Sequence, residues 1–411
     1  MGRHMAQTGS VSQNRRPELA RRQDVDWLRV LGMMMVFLFH GARFFDTGGW
    51  HVKSPRTSDG LQIVIIFVVQ WMMPLFFILS GIGIYHALAH QRWPQYLVSR
   101  CQRLAVPLLF GIFVIIAPWQ VYLERVSRNE YSGSFWRWYP HYFDGWYGLG
   151  GNFAWMGIHL WYLEFLFVFS LLTLPLFLYL QSAAGVHQLE RLARFLARPG
   201  AIFLCALPLA AAEFLASIPA ISESLFGNEG FGGWSTLPYL TLLILGYLLA
   251  AGPGLTDAME RHRHLGLITG AVTFILGYFL YQATESWTWL PRELMMSCLR
   301  GILCWSWLIA ICGYAGRHLR FSNAFLKYAN EAVLPFYILH QTIILTIGYY
   351  VLRLDTHLWI EYLIIALGSL VVIMALYEGL IRRINLLRFL FGMKMRRHPL
   401  PVPRPQPLPS A

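Results

Sequence analysis

Arg29 and His40 stand eleven residues apart in segment 24–46, DVDWLRVLGMMMVFLFHGARFFD, which is otherwise apolar enough for a membrane helix. At about 100° and about 1.5 Å per residue, that spacing is three turns plus roughly 20°, so both side chains share one face some 16 Å apart. Asp26, Met33, Val36 and Arg43 fall on the same side, which predicts a polar stripe along the helix. An ionisable group inside a bilayer costs several kcal/mol unless it is paired or faces a wet cavity, so its default reading is a functional site. The competing reading makes Asp26 and Arg29 a surface pair and His40 a satisfied interior histidine. Arg and His aligned on one stripe favour function.

Other polar groups fall at membrane depth. PLFFILSG places Ser80 and Gly81 toward the inner half of a second helix, where such a pair usually marks a close helix contact. RCQRLAVP sets Arg100 and Arg103 one turn apart, suited to snorkelling toward lipid headgroups or to holding a polyphosphate. GIHLWYLEF carries His159, Trp161 and, deeper, Glu164, an acid that needs a partner from the stripe. CLRGILCW buries Arg300 with no acid within one turn, so it needs Glu164, Glu213 or the carboxylate of a ligand. LPFYILHQ puts Tyr337 and His340 near mid-membrane; a histidine there is more often a hydrogen-bonded structural residue. No phosphate loop, dinucleotide fingerprint, HExxH or GxSxG elbow is present, and the histidines form no metal motif.

The elements that must position these residues are membrane helices. The chain has 411 residues, 56% hydrophobic and 13% charged, with mean hydropathy +0.47, which excludes an ordinary soluble domain. About ten spans are expected, near 27–46, 61–88, 104–124, 157–181, 200–219, 235–252, 264–282, 293–314, 332–352 and 358–381. Arg and Lys concentrate in alternate connections: Arg92, Arg100 and Arg103; Arg191, Arg194 and Arg198; Arg261 and Arg263; Arg317, Arg320 and Lys327. The intervening loops carry Asp59, Asp144, Glu223, Glu229, Glu285 and Asp355, so both termini are expected in the cytoplasm. The net charge of +12 then reflects topology rather than nucleic-acid binding. The five cysteines show no zinc spacing and read as packing residues. Loop 125–156 is rich in aromatics and glycine, either an interfacial belt or a stacking surface for a sugar. Three regions follow: a polar basic segment 1–23 expected to be disordered, a membrane domain 24–383, and a basic then proline-rich tail 384–411.

The opening DVDWLRVLGMMMVFLFH resembles that of the membrane-bound acyltransferase family 3, whose hallmark is Arg, ten residues, then His. PLFFILSG, RCQRLAVP, HLWYLEFL and LPFYILHQ resemble later signatures of that family in the same order, and the last two look most like the branch containing periplasmic glucan succinyltransferases. The resemblance covers about 24–383. It implies an all-α polytopic enzyme of the inner membrane that moves an acyl group, succinyl or acetyl, from cytosolic acyl-CoA to a hydroxyl of an extracytoplasmic glycan, with no tightly bound cofactor. No fused hydrolase-like domain of the kind carried by the family's two-domain members is seen, so acceptor handling is expected of the membrane domain or a partner. On that basis His40 is the expected general base, or a nucleophile forming an acyl-imidazole. Arg29, Asp26 and Glu164 would complete the stripe, though Asp26 lies far toward the cytoplasm. Arg29, Ser80, Arg100 and Arg103 would hold the donor, and His159, Trp161, Arg300, Tyr337 and His340 would face substrate. Membrane lipids are expected neighbours, nucleic acid is not, and a homo-oligomer is left open. The rival class is a transporter or flippase, which the lack of internal repeats and paired broken helices disfavours; a scaffold would leave the intramembrane Arg and His without a role.

Overall fold

The computed structural model describes residues 22–222 and 232–396; the segment before Arg22, the proline-rich tail, Glu223 and Glu229 lie outside the described residues. Among the described residues every regular element is helical, with a single isolated bridge between Trp146 and Phe153. Seven helices are long and apolar enough to cross a membrane, or up to ten if each of three bent pairs is one span. In chain order they are α1 Gln23–Ala42, α2 Asp59–His90, α3 Trp93–Ser127, α4 Ile158–Leu172 with Leu174–Leu180, α5 Ala183–Leu196 with Ala201–Ser217, α6 Thr236–Ala251 with Leu255–Arg261, α7 Arg263–Ala283, α8 Trp289–His318, α9 Ala324–Leu354 and α10 Leu358–Ile381.

The bends have local causes. Pro175 sits in the first turn after the 51° break in α4, where its missing N–H and ring displace the preceding turn. In α5 the 120° turn falls at Pro199–Gly200, and in α6 the 101° turn falls at Gly252–Pro253–Gly254. Gly200 and Gly254 both adopt φ +77°, the left-handed conformation that ends a helix and that a side chain resists. Against the ten expected spans stand seven helices long enough to cross and three pairs bent by more than 40°. Ala183–Leu196 carries Glu190, Arg191 and Arg194 and is an amphipathic flank of the Ala201–Ser217 half rather than an apolar crossing.

Helix α1 lies against α2, α8, α9 and α10, so its polar stripe is enclosed. Asp26, Met33 and Val36 are buried, while Leu31, Met34 and Leu38 on the other side are exposed, as a lipid-facing surface would be. The closest crossing joins α2 to α6. A Cβ at Gly81 would overlap the Leu243 carbonyl, and one at Gly246 would overlap the Ile78 carbonyl. Small residues let the two backbones touch where no hydrophobic drive separates helix from lipid. This fixes Ser80 in the interior beside the site. Gly246→Val is expected to cost about 1–3 kcal/mol, read as a lowered unfolding midpoint of the detergent-solubilised protein; an unchanged midpoint would mean the crossing is looser than drawn.

Candidate active site

Three histidines from three helices meet near the C-terminal end of α1. The rings of His40 and His340 are 5.0 Å apart and those of His340 and His159 are 4.9 Å apart. Their hydrogen-bond partners assign the tautomers. His340 Nδ1 lies 2.5 Å from the Tyr337 carbonyl, which can only accept, so Nδ1 carries the proton and Nε2 the lone pair. That lone pair faces His40 Nδ1 at 3.2 Å. The same Nδ1 lies 2.9 Å from the Val36 carbonyl. Both neighbours of His40 Nδ1 are acceptors, so the ring holds a proton there, and in its neutral form Nε2 carries the lone pair. His159 donates from Nε2 to the Tyr337 and Ile338 carbonyls, each 3.2 Å away, and accepts at Nδ1 from Gln120 Nε2 at 3.1 Å. With the three imidazoles neutral, His40 Nε2 is the nitrogen left without a hydrogen-bond partner among the described residues.

That nitrogen belongs to a ring on the wall of a cavity of about 930 Å³. His40, Arg43, Trp50, Trp155, Trp161 and Tyr337 are among its lining, and Trp50 stacks 6.1 Å from His40. His159 also reaches the cavity, whereas His340, fully buried, supports His40 from the protein side. The roof comes from loop 145–151, held by Arg125, which donates to Asn152 Oδ1 at 2.9 Å and to the Gly151 carbonyl at 2.8 Å. Arg43 pairs with buried Asp46, which Lys53 also contacts at 2.6 Å, so this wall carries more positive than negative charge.

The N-terminal end of α1 is a different environment. Arg29 reaches Asp26 at 3.3 Å and the Leu79 carbonyl at 3.4 Å, so the ion pair of the competing reading does form, with Asp26 buried rather than at the surface. Arg100 and Arg29 both act electrostatically on Arg103. Arg100 lies over the Tyr96 ring, and neither Arg100 nor Arg103 has a carboxylate partner among the described residues. Arg103 is carried on a π-helical turn, Cys101–Ala105, a form of helix found mostly as single turns at functional sites. Ser80 shares a 2.6 Å hydrogen bond with Tyr162, whose ring lies 5.9 Å from Tyr337. Polar side chains thus run from the arginines to the histidines. Nearby, a second cavity of about 400 Å³ is lined by Arg22, Asp24, Glu260 and Arg320.

Glu164 does not meet the stripe: its Oε2 is buried with no hydrogen-bond partner among the described residues. Arg300 is bound to Glu213 and to the Gly233 carbonyl and lies 4.2 Å over the Trp234 ring. Of the partners considered for it, the one seated there is Glu213. Sequence reasoning passed over Gln120, Tyr162 and Trp50; a glutamine in the apolar run IIAPWQVY was the available signal for the first.

Comparison with known proteins gives the same outline. A family described as an acyltransferase domain matches residues 22–378. The glucans biosynthesis protein C of Salmonella schwarzengrund is 27% identical over 377 residues, covering 90% of this chain and 92% of the relative. Its namesake in Escherichia coli K12 is 25% identical over the same shares. No solved structure matches.

The Arg300–Glu213 pair yields a test of its own. Removing one member of a buried pair leaves an uncompensated charge, so Arg300→Met and Glu213→Gln should each lose on the order of 3 kcal/mol. The double variant should lose less than their sum, measured as unfolding midpoints. Additive losses would mean the two side chains act separately.

Proposed function

The chain belongs to the membrane-bound acyltransferase family 3, and from that premise we propose that it moves an acyl group from cytosolic acyl-CoA to a hydroxyl of an extracytoplasmic glycan. The observation that carries the reading is α1 itself, which presents Arg29 toward an arginine cluster at one end and a tautomer-fixed His40 to a cavity at the other. A polyanionic donor suits the first end, because unpaired guanidinium groups gain charge-assisted hydrogen bonds from phosphate. A neutral polyhydroxyl acceptor suits the second, a concave aromatic-walled space with a few placed polar groups. CoA cannot cross lipid, so its pantetheine arm would cover the ~16 Å between Arg29 and His40 along the helix. The names of the relatives point to a glucan as acceptor.

In this mechanism the acceptor hydroxyl enters from the cavity and hydrogen-bonds to His40 Nε2. As its oxygen attacks the thioester carbonyl, the proton passes to Nε2 and the imidazolium keeps its Nδ1 proton between the Val36 carbonyl and His340. The tetrahedral centre collapses, the carbon–sulfur bond breaks, and the proton returns to the leaving thiolate. The ester and CoA–SH are the products, with no net proton released. The same unengaged Nε2 could instead attack the thioester first and form an acyl-imidazole. Arg29, Arg100 and Arg103 would hold the donor's phosphates beside Ser80, whereas Arg22 and Arg320 nearby are already paired with Asp24 and Glu260. Arg300 serves packing, held by Glu213, and the acyl group, succinyl or acetyl, is chosen elsewhere in the pore. Both termini and the Arg191–Arg198 connection face the cytoplasm of an inner-membrane protein. A transporter would have no use for a histidine whose free lone pair is fixed by two backbone-anchored contacts.

His40→Ala should keep the fold and lose at least ~10²-fold in transfer, as expected for loss of a general base. The assay is label transfer from acyl-CoA to glucan oligosaccharide by the purified protein, and near-wild-type rates would refute the role. Arg100→Ala and Arg103→Ala should each raise the donor KM by roughly tenfold with little change in kcat, the value of a charge-assisted phosphate contact. The wild-type donor KM should also rise with salt. Unchanged donor KM in both variants would make these arginines lipid anchors.

A further inference from the structure

Loop 43–58 carries His51 to the same cavity, beside Trp50, whose ring lies 6.1 Å from His40 and 5.8 Å from His51. Behind His51 stands Glu124, only 2% exposed. Its carboxylate accepts from His51 Nδ1, from the Tyr147 hydroxyl at 2.7 Å and from Arg128 at 2.8 Å. Three donors on one buried carboxylate fix the imidazole as a second-layer acid fixes a working histidine. Nδ1–H is directed to the acid, and Nε2 is left on the other side, with no hydrogen-bond partner among the described residues. Burial, and then the adjacent Glu124 carboxylate, push the Tyr147 phenol above its usual range, so it stays protonated and keeps donating.

We propose that His51, oriented by Glu124, is a second binding point for a polyhydroxyl acceptor, taking a hydroxyl other than the one that His40 activates; this rests on the acyl-acceptor reading above. The chemistry fits a sugar better than a simple alcohol. A neutral His51 accepts from a hydroxyl at Nε2, and a protonated one donates to it, so a group that both donates and accepts is held in either state. Two histidines beside one aromatic ring suit a ligand with hydroxyls spread over several ångströms of a rigid ring, which is what a pyranose offers. Trp50, which lines the same cavity, supplies a flat apolar surface for its C–H face. A purely structural role for Glu124 accounts for the Nδ1 contact and for the tie from Ser127 to the His51 carbonyl at 3.2 Å. It gives no reason for the imidazole to line the cavity that His40 also lines.

The test uses the full-length protein in lipid nanodiscs with β-glucan oligosaccharides as probe. Binding is followed by titration calorimetry without donor, and transfer is followed with labelled acyl-CoA. His51→Ala should weaken oligosaccharide binding and raise the acceptor KM at least tenfold, while donor KM and acceptor-independent hydrolysis of acyl-CoA stay at wild-type values. His51→Gln should recover part of the loss, since its amide can replace Nε2, and Glu124→Gln should fall between the two. An unchanged acceptor KM and affinity in His51→Ala would overturn the proposal. So would equal loss of hydrolysis and transfer, which marks a structural residue, or failure of the wild type to bind the oligosaccharides. Binding that depends on His51 without transfer by the wild type would keep this subsite and refute the acyl-transfer reading instead.

Discussion

The Nδ1 proton of His40 is the point on which the site depends. Two acceptors compete for it, the Val36 carbonyl at 2.9 Å and the His340 Nε2 at 3.2 Å. Imidazole has one proton and one lone pair when neutral, so committing the first commits the second. The Val36 contact is internal to α1, four residues back. The His340 contact comes from a helix 300 residues away and is itself fixed by the Tyr337 carbonyl. A buried imidazole with two competing tautomers would be a poor base half of the time. This arrangement removes the choice, and the packing of α1 on α9 therefore sets the chemistry of α1.

The two ends of α1 differ in what they leave unsatisfied. At the His40 end the charges are cross-linked: Arg43 and Lys53 on Asp46, Arg56 on Glu361 and Asp355, and Arg128 on Glu124. These pairs seat the loops that wall the cavity, and the cavity itself is lined by imidazoles, aromatic faces and the Asp46-paired Arg43. At the Arg29 end the balance is reversed, with Arg100 and Arg103 lacking acids among the described residues while Arg29 has Asp26. Neighbouring cations repel one another, and the electrostatic cost falls when an anion arrives. A phosphate-bearing donor on one side and a neutral acceptor on the other is the pairing of ligands that this asymmetry favours.

What the sequence made legible was whatever depends on a single helix. The stripe of Asp26, Arg29, Met33, Val36 and His40 could be read because helical period alone puts those residues on one face, and α1 buries Asp26, Met33 and Val36 there. The bends at Pro175, Pro199–Gly200 and Pro253–Gly254 were written in proline and glycine, yet the angles of 51°, 120° and 101° at those breaks were not. Contacts between helices were hidden. Nothing in LPFYILHQ says that His340 reaches His40, or that Gln120 reaches His159, because one sequence carries no register between elements far apart in the chain. Glu164 shows the reverse error: an acid at membrane depth seemed to require the stripe, and its Oε2 is buried without such a partner. Arg300 could be narrowed to Glu164, Glu213 or a ligand, and only packing could seat it on Glu213.

The proposed reaction is directional: the donor would be held at the Arg29 end and the acyl group would leave from the His40 end. Sealed vesicles of known orientation, with labelled acyl-CoA on one face and glucan oligosaccharide on the other, test it directly. Ester-linked label should form on the glucan only when acyl-CoA is on the face bearing Arg100 and Arg103 and the glucan is on the opposite face. Equal labelling when donor and acceptor share one compartment would contradict the account, because it would place both substrates at the same end of α1.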